Sequence, residues 1–443
     1  MEKIGRKIWI KTYGCQMNMR DSDTLKTLLK ADGHCIVDVE EEADIALLYT
    51  CSIRDLAESK ALGKAGRLIR NKKKNPNYRI GILGCMASRQ GKNLLKKLPQ
   101  LDWIIAPQNL ADAPQLIRKT LENDLTDCLV SEIPETFDFS CYEAKGAAQA
   151  TLFVPIQQGC NMACSYCIVP QTRGRQQNRS LTSILKEIER AAQEGTKEIT
   201  LLGQIVNSYQ DPETQKRFSD LLEAVQAIEG IERIRFVSPH PAFFTDNLIE
   251  CFAKLPKLCP AIHLPVQSGA NRLLKEMHRA YTKEKIYAIV DKLRAINPLF
   301  SISTDIIVGY PGETEIDFKD TCELFDHIQF DMAYVFKYSP RPSTLAAPQQ
   351  DTILGIEDAI KEERNQILLE KLSRYSTAYN ERFLDTQQTI LIEGKPHRGT
   401  GKLFGRNVYN KKVIVDGPEA WIGSLKTVHI TKTSSSVLEG RVL

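Results

Sequence analysis

Over its first third the chain alternates apolar runs with amphipathic stretches, the pattern of strands followed by helices. Residues 8–12 read as a short strand, and 21–31 as a helix with Leu25, Leu28 and Leu29 at helical spacing and Gly33 as its stop. The unbroken run ADIALLYT at 43–50 reads as a buried strand. A helix over 57–70, strands over 79–83 and 101–106, and a helix over 113–123 with Pro114 in its first turn follow. This order predicts an open, doubly wound α/β domain over residues 1–145, fading into a linker around Lys145-Gly146-Ala147-Ala148.

The pattern restarts at 151. Strands are expected over 151–156, 198–203, 233–237, 261–266, 301–308 and 332–338, with helices over 180–194, 219–229, 245–254, 283–296 and 314–327 between them. In the helix over 180–194, Ile184, Leu185, Ile188, Ala191 and Ala192 share one face. Six strands, each joined through a helix, predict a partial (β/α)6 barrel over 146–383, with a trailing charged helix from 355 and chemistry at the carboxyl ends of the strands. Beyond 384 the pattern changes to short β runs at 388–392, 412–415 and 426–430 broken by glycines, which predict a small β-barrel over 384–443.

Composition adds limits. At 443 residues, 42% hydrophobic and 26% charged, the chain reads as a soluble protein of two or three domains. No apolar run is long enough to span a membrane, and no apolar leader precedes the first strand, so a cytoplasmic location is expected. Twelve cysteines without a secretion signal argue for reduced thiols. Residues 385–443 carry nine Lys or Arg against five Asp or Glu, an excess equal to the whole chain's +4. Lys395, Arg398, Lys402, Arg406, Lys411 and Lys412, interleaved with Phe404, Tyr409 and Trp421, suit a nucleic-acid platform, and Lys402, Arg406 and Lys411 are taken as its RNA contacts. The run KKKNPN at 72–77 reads as a solvated basic turn.

Cys160, Cys164 and Cys167 form a CxxxCxxC loop after the strand over 151–156. Such a loop can hold one 4Fe-4S cluster by three thiolates and leave the fourth iron open to a small molecule. Structural zinc would want a fourth ligand, and no further Cys or His stands within ten residues on either side. Cys15, Cys51 and Cys85 each stand where a strand of the first domain runs out; position alone allows a second cluster or three unrelated core cysteines. Cys35, Cys128, Cys141, Cys251, Cys259 and Cys322 are isolated and read as small buried hydrophobes. The later strands end in Gln204 and Asn207, in His240, in His263 to Gln267, and in Ser303-Thr304-Asp305, which together suggest a lined pocket. Arg173, Arg175 and Arg179, in the loop leaving the cysteines, are candidates for gripping phosphates of RNA.

The three close cysteines, with Tyr166 before the last, resemble the signature of radical S-adenosylmethionine enzymes. That resemblance implies an open iron chelated by the cofactor's amino and carboxylate groups, Tyr166 against the adenine, and one-electron cleavage to a 5′-deoxyadenosyl radical. The words YGCQMN at 13–18, TCS at 50–52, GCMA at 84–87, HLPVQSGA at 263–270 and STDIIVGYPGET at 303–314 resemble the methylthiotransferase family. The C-terminal segment, with Gly405-Arg406-Asn407 as a turn, is similar to the family's OB-like TRAM domain. Tyr49 stands where the family usually carries Asn; Pro239, Ser343 and Ala270-Asn271 are smaller departures.

The resemblance implies an α/β protein with two 4Fe-4S clusters, on Cys15/Cys51/Cys85 and on Cys160/Cys164/Cys167, and S-adenosylmethionine held by Tyr166, Gln204, Gln267 and Asp305. It implies transfer of a methylthio group to carbon 2 of a prenylated adenosine beside the tRNA anticodon. A first S-adenosylmethionine would methylate sulfur on the Cys15/Cys51/Cys85 cluster and a second would supply the radical. The implied partners are tRNA, a flavodoxin- or ferredoxin-like electron donor protein and a sulfur source, with a monomeric chain and no membrane. A ribosomal protein or another RNA is the alternative substrate, and a non-catalytic iron–sulfur RNA-binding or electron-transfer protein the alternative class.

Overall fold

The computed structural model describes residues 5–52, 55–122, 128–143, 149–396 and 401–443. The expected linker at 145–148, position 123 at the end of an expected helix, and Arg398 lie outside the described residues. The chain divides into two compact units: Met1–Ala147 with Gln157–Met162 and Cys167–Arg179, and Ala148–Ile156 with Ala163–Tyr166 and Ser180–Leu443.

The first unit is built from β1 (Lys7–Thr12), α1 (Gln16–Ala31), β2 (Cys35–Ile36), β3 (Ile45–Thr50), α2 (Asp55–Lys74), β4 (Arg79–Gly84), α3 (Cys85–Gln90), α4 (Asn93–Lys97), β5 (Trp103–Ile105), α5 (Ala113–Glu122) and β6 (Leu129–Val130). The strands are all parallel, in the order β2-β1-β3-β4-β5-β6. All six residues of β3 are buried because helices cover both faces. Ala46 and Leu48 pack with Ala61, Ala65 and Leu68 of α2, whereas Ile45, Leu47 and Tyr49 pack with Leu25 and Leu29 of α1 and Ile117 of α5. The doubly wound expectation holds. The basic run at 72–74 ends α2 rather than making a turn, which places positive charge at a helix C-terminus, and Lys72 Nζ pairs with Asp102 at 2.8 Å.

The chain then runs through β7 (Thr151–Pro155), β8 (Gln157–Gln158), the cysteine loop, α6 (Val169–Arg173) and β9 (Gln177–Asn178). The second unit continues with α7 (Leu181–Gln193), β10 (Glu198–Leu202), α8 (Phe218–Gln226), β11 (Arg233–Phe236), α9 (Asp246–Lys254), β12 (Ala261–His263), α10 (Asn271–Glu276), α11 (Lys283–Ile296), β13 (Ser301–Val308), α12 (Glu315–Ile328) and β14 (Met332–Lys337). Two parallel three-stranded sheets, β7-β10-β11 and β12-β13-β14, are linked by a parallel bridge between Ile234 and Leu258, giving an open six-stranded barrel. Side-chain caps begin several helices: Ser180 accepts from the Ser183 N–H and Thr245 from that of Leu248, and Thr314 with Asp317 forms a capping box on α12.

After α13 (Asp358–Glu381), the strands β15 (Gln387–Gly394), β16 (Lys402–Arg406), β17 (Lys412–Asp416), β18 (Leu425–Thr433) and β19 (Leu438–Val442) close a barrel in the order β15-β16-β17-β19-β18. Gly405 and Arg406 lie in β16 rather than in a turn, because a Cβ at 405 would collide with the Leu391 carbonyl across the ladder; the turn is made by Asn407 to Lys411. This barrel docks at the strand starts of the larger one. Arg233, which opens β11, and Arg235 two residues on donate to the carbonyls of Arg406, Thr389, Val408 and Asn407 at 2.7–3.0 Å.

Candidate functional site

Three cysteines of the first unit stand where neighbouring strands run out. Cys15 is the N-cap of α1, Cys51 follows β3, and Cys85 opens α3 directly after β4. β1, β3 and β4 are adjacent, and the sheet order reverses between β1 and β3, the kind of place where α/β sheets open a crevice. Two glycines let the loops approach. A Cβ on Gly14 would stand 2.5 Å from Cys51 Cβ, and one on Gly84 would stand 2.5 Å from the Thr50 carbonyl oxygen; their φ angles are +116° and +92°.

Asn18 stitches these loops together. Its Nδ2 donates to the carbonyls of Tyr13 at 2.8 Å and Thr50 at 3.0 Å, while its Oδ1 accepts from Arg173 Nη2 at 2.9 Å. Only an amide side chain supplies both donors and the acceptor. Arg173 also donates from Nη2 to Asp21 at 3.0 Å, from Nη1 to Gln158 at 2.8 Å, and from Nε to Cys85 Sγ at 3.3 Å. Burial works against its charge, but Cys85 and Asp21 outweigh it and hold the guanidinium cationic. Asp21 in turn accepts from the hydroxyls of Tyr49 at 3.1 Å and Tyr142 at 2.7 Å, so the unusual Tyr49 has a defined partner. Burial pushes the Cys85 thiol up, and Arg173 opposes that shift.

Among the described residues, no three His, Cys, Asp or Glu side chains already stand at metal-ligand spacing. The donor chemistry fits an iron–sulfur cluster: three thiols on one sheet edge, loops brought close by two glycines, and a guanidinium N–H on one sulfur. In the CxxxCxxC loop the covalent chain itself keeps the three thiols near one another. Cys160 Sγ accepts from the Met162 N–H at 3.4 Å and Cys167 Sγ from the Val169 N–H at 3.5 Å.

In the second unit Cys164 Sγ receives Arg279 Nη1 at 3.4 Å. Arg279 is fixed by Tyr281, whose hydroxyl accepts from Nε at 2.8 Å, and by the Pro265 carbonyl on Nη2 at 3.0 Å. Tyr166 packs beside Ala270, Leu273, Met277 and Tyr310. Ile302, Ile306 and Val308 of β13 join the core under the helices, while Ser303, Asp305 and Ile307 face the other way and are half-buried. On that side His263 sits 3.2 Å from Asp305 Oδ2 and 3.0 Å from Ser303 Oγ. Gln267 has φ +70° and donates its backbone N–H to the Asp305 carbonyl at 2.8 Å, so the fold brings these two together. Asn207 and the His240 backbone bind each other at 2.8 and 3.0 Å. Three buried polar atoms here have no protein partner: Gln204 Oε1, Asp305 Oδ1 and His240 Nε2. Such groups suit a polar ligand. The Glu313 carboxylate is structural, accepting from the Gly309 N–H and Arg364 Nη1, each at 2.6 Å.

The expected RNA contacts separate by exposure. Arg175 is exposed, and Lys402 and Arg406 are 42% and 39% exposed beside Glu439 and Glu393. Arg173 and Arg179 are buried, at 5% and 1%, which corrects their expected place on an open basic loop. Lys411 is also placed differently: it ion-pairs with Asp331 beneath the docked barrel, 4.5 Å from the Tyr379 ring centroid. Sequence reasoning missed Arg279, Asn18, Asp21 and Gln158. The first could have been suspected from the polar cluster HRAYT at 278–282; the others need the fold. Of the isolated cysteines, Cys141, Cys251 and Cys259 are buried, but Cys35 is exposed.

Residues 154–325 match the family profile described as the radical SAM superfamily, 7–106 the one described as uncharacterized protein family UPF0004, and 382–443 the TRAM domain. A tRNA-2-methylthio-N(6)-dimethylallyladenosine synthase of Opitutus terrae is 44% identical, covering 99% of this chain and 97% of its own length. Proteins of the same name from Akkermansia muciniphila and Salmonella enteritidis are 39% and 41% identical, covering 98% and 99% of this chain and 98% and 92% of their own lengths. Among solved structures, the radical S-adenosylmethionine methyltransferase TsrM of Kitasatospora setae superposes with a TM-score of 0.56 at 14% identity, over 75% of this chain and 73% of that one, and shares the fold.

Proposed function

Because this chain belongs to the radical S-adenosylmethionine methylthiotransferase family, among the tRNA-2-methylthio-N(6)-dimethylallyladenosine synthases, we propose that it transfers a methylthio group to carbon 2 of N(6)-dimethylallyladenosine next to the tRNA anticodon. The observation that carries this reading is the near-full-length similarity to proteins of that name, over a chain that places Cys15, Cys51 and Cys85 at three neighbouring strand ends. Cys15, Cys51 and Cys85 would hold one 4Fe-4S cluster, and Cys160, Cys164 and Cys167 the other. When bound, the clusters and S-adenosylmethionine supply the one-electron and methyl-transfer chemistry.

The chain's own residues bind and orient. Tyr166, Gln204, Gln267 and Asp305 hold S-adenosylmethionine, and His263 fixes the Asp305 carboxylate from one side, leaving Oδ1 for the ligand. Arg279 holds positive charge at the Cys164 sulfur. Arg175, Lys402 and Arg406 meet tRNA phosphates. Domain boundaries at 145 and 383, a cytoplasmic monomer, a flavodoxin- or ferredoxin-like electron donor and a separate sulfur source complete the reading. No helix among the described residues is long and apolar enough to cross a membrane.

Mass spectrometry of tRNA nucleosides from a deletion strain beside its parent tests it. Loss of the methylthio adenosine, about 46 Da heavier than its prenylated precursor, with that precursor accumulating, is the expected result. Unchanged tRNA would refute the substrate and turn the search to a ribosomal protein. A Cys15→Ala variant should still cleave S-adenosylmethionine yet form no product; normal product would overturn the assignment of that cluster.

A further inference from the structure

We propose that Arg173 is a positioning residue for the Cys15/Cys51/Cys85 cluster, raising its reduction potential through the N–H it donates to the Cys85 sulfur. The inference rests on reading those three cysteines as cluster ligands. Arg173 lies six residues beyond Cys167 in the chain, yet its side chain belongs to the other cysteine set.

The guanidinium is held on several sides. Gln158 takes Nη1, Asn18 and Asp21 take Nη2, and the remaining Nε points at Cys85 Sγ. Each of these partners is itself fixed. Asn18 is tied to two loop carbonyls, Asp21 accepts two tyrosine hydroxyls, and Gln158 Nε2 donates to the Tyr142 hydroxyl at 2.9 Å. The fork therefore has one orientation. A buried Arg–Asp pair does not by itself stabilise a fold better than apolar side chains of the same volume, so stability alone is a weak reason for this network. What an apolar replacement would not supply is the charge-assisted hydrogen bond on sulfur. Reduction adds one electron to a buried anionic cluster, and a cation donating an N–H to a ligand thiolate stabilises the reduced form. Asp21, an anion that accepts from Nη2 of the same guanidinium, acts with the opposite sign.

The test uses the full chain carrying Cys160→Ala, Cys164→Ala and Cys167→Ala, so that one cluster remains, reconstituted anaerobically and titrated with dithionite while the reduced cluster is followed by electron paramagnetic resonance. Arg173→Gln should lower the midpoint by at least a tenfold change in the reduction equilibrium, about 59 mV for one electron. Arg173→Lys, which keeps the charge without the fork, should shift less, and Asp21→Asn should shift the midpoint upward. A structural role would not give opposite signs. Arg173→Gln with parental iron content and an unchanged midpoint overturns the inference, as does a downward shift in Asp21→Asn. If Arg173→Gln takes up no iron, the direction of the Asp21→Asn shift decides. A triple-cysteine background that itself binds no iron would refute the ligand reading, separately from the role of Arg173.

Discussion

His240 sits against the rings of Tyr281 and Phe243, with centroids at 5.2 and 5.7 Å. Burial, reinforced by the positive charges of Arg279 and Lys285, pushes its pKa down to about 3. Its Nδ1 accepts the Ala242 N–H at 3.2 Å, so the ring is neutral with its proton assigned to Nε2. Because the unfolded ring takes up a proton near pH 6.5 and the folded one does not until about pH 3, the stability tied to this shift is full above 6.5 and falls with pH below it. Between pH 6.5 and 5 the loss is about 2 kcal/mol. Unfolding at pH 7 and pH 5 should therefore show a smaller acid loss in His240→Asn than in the parent; equal losses would refute the neutral assignment. Gly84 gives a second prediction. Its φ of +92° and the nearby Thr50 carbonyl mean that Gly84→Ala costs at least 1 kcal/mol or so and displaces Cys85, so iron per chain should drop by half or more on reconstitution. His240 and Cys85 were visible as residues, but their shifts come first from burial, which only the fold supplies.

At the scale of elements, β3 and the helices are the most legible parts. IALLYT is apolar at five of six positions because helices cover both faces, and an unbroken apolar run states that condition in one dimension. Leu48→Ala should cost about 2–5 kcal/mol by urea unfolding, while Leu56→Ala, at a site 66% exposed, should change stability by less than about 0.5 kcal/mol. Similar losses at the two positions would contradict the burial of Leu48 under α2. The expected helix over 283–296 coincides with α11 and the expected strand over 301–308 with β13, since each carries its own period and stop. The placement of Gly405-Arg406 failed for a physical reason. Glycine favours turns, but it also serves where two strands approach too closely for a Cβ, and local sequence does not distinguish those uses.

At the scale of the second unit, the small barrel sits at the strand starts of the large one, away from the carboxyl ends that carry His263 and Gln267. Charge counting gave Lys402 and Lys411 the same role; the fold divides them. Lys402→Ala should weaken tRNA binding and reduce the slope of log affinity against log salt by about one. Lys411→Ala should leave that slope alone and lower unfolding stability by about 3–5 kcal/mol, because Asp331 would be left buried without its cation. A changed salt slope in Lys411→Ala would show that its charge meets RNA after all.

The sequence by itself determined the element order, the close spacing of Cys160, Cys164 and Cys167, and the words that mark the family, because periodicity, caps and short-range spacing are properties of neighbours along the chain. Only the tertiary structure decided that Arg173 turns inward to Cys85, that Arg279 meets Cys164, and that Lys411 supports an interface. Each of those outcomes joins residues 80 or more positions apart, and burial, which fixes whether a cation can meet a phosphate, has no local signature.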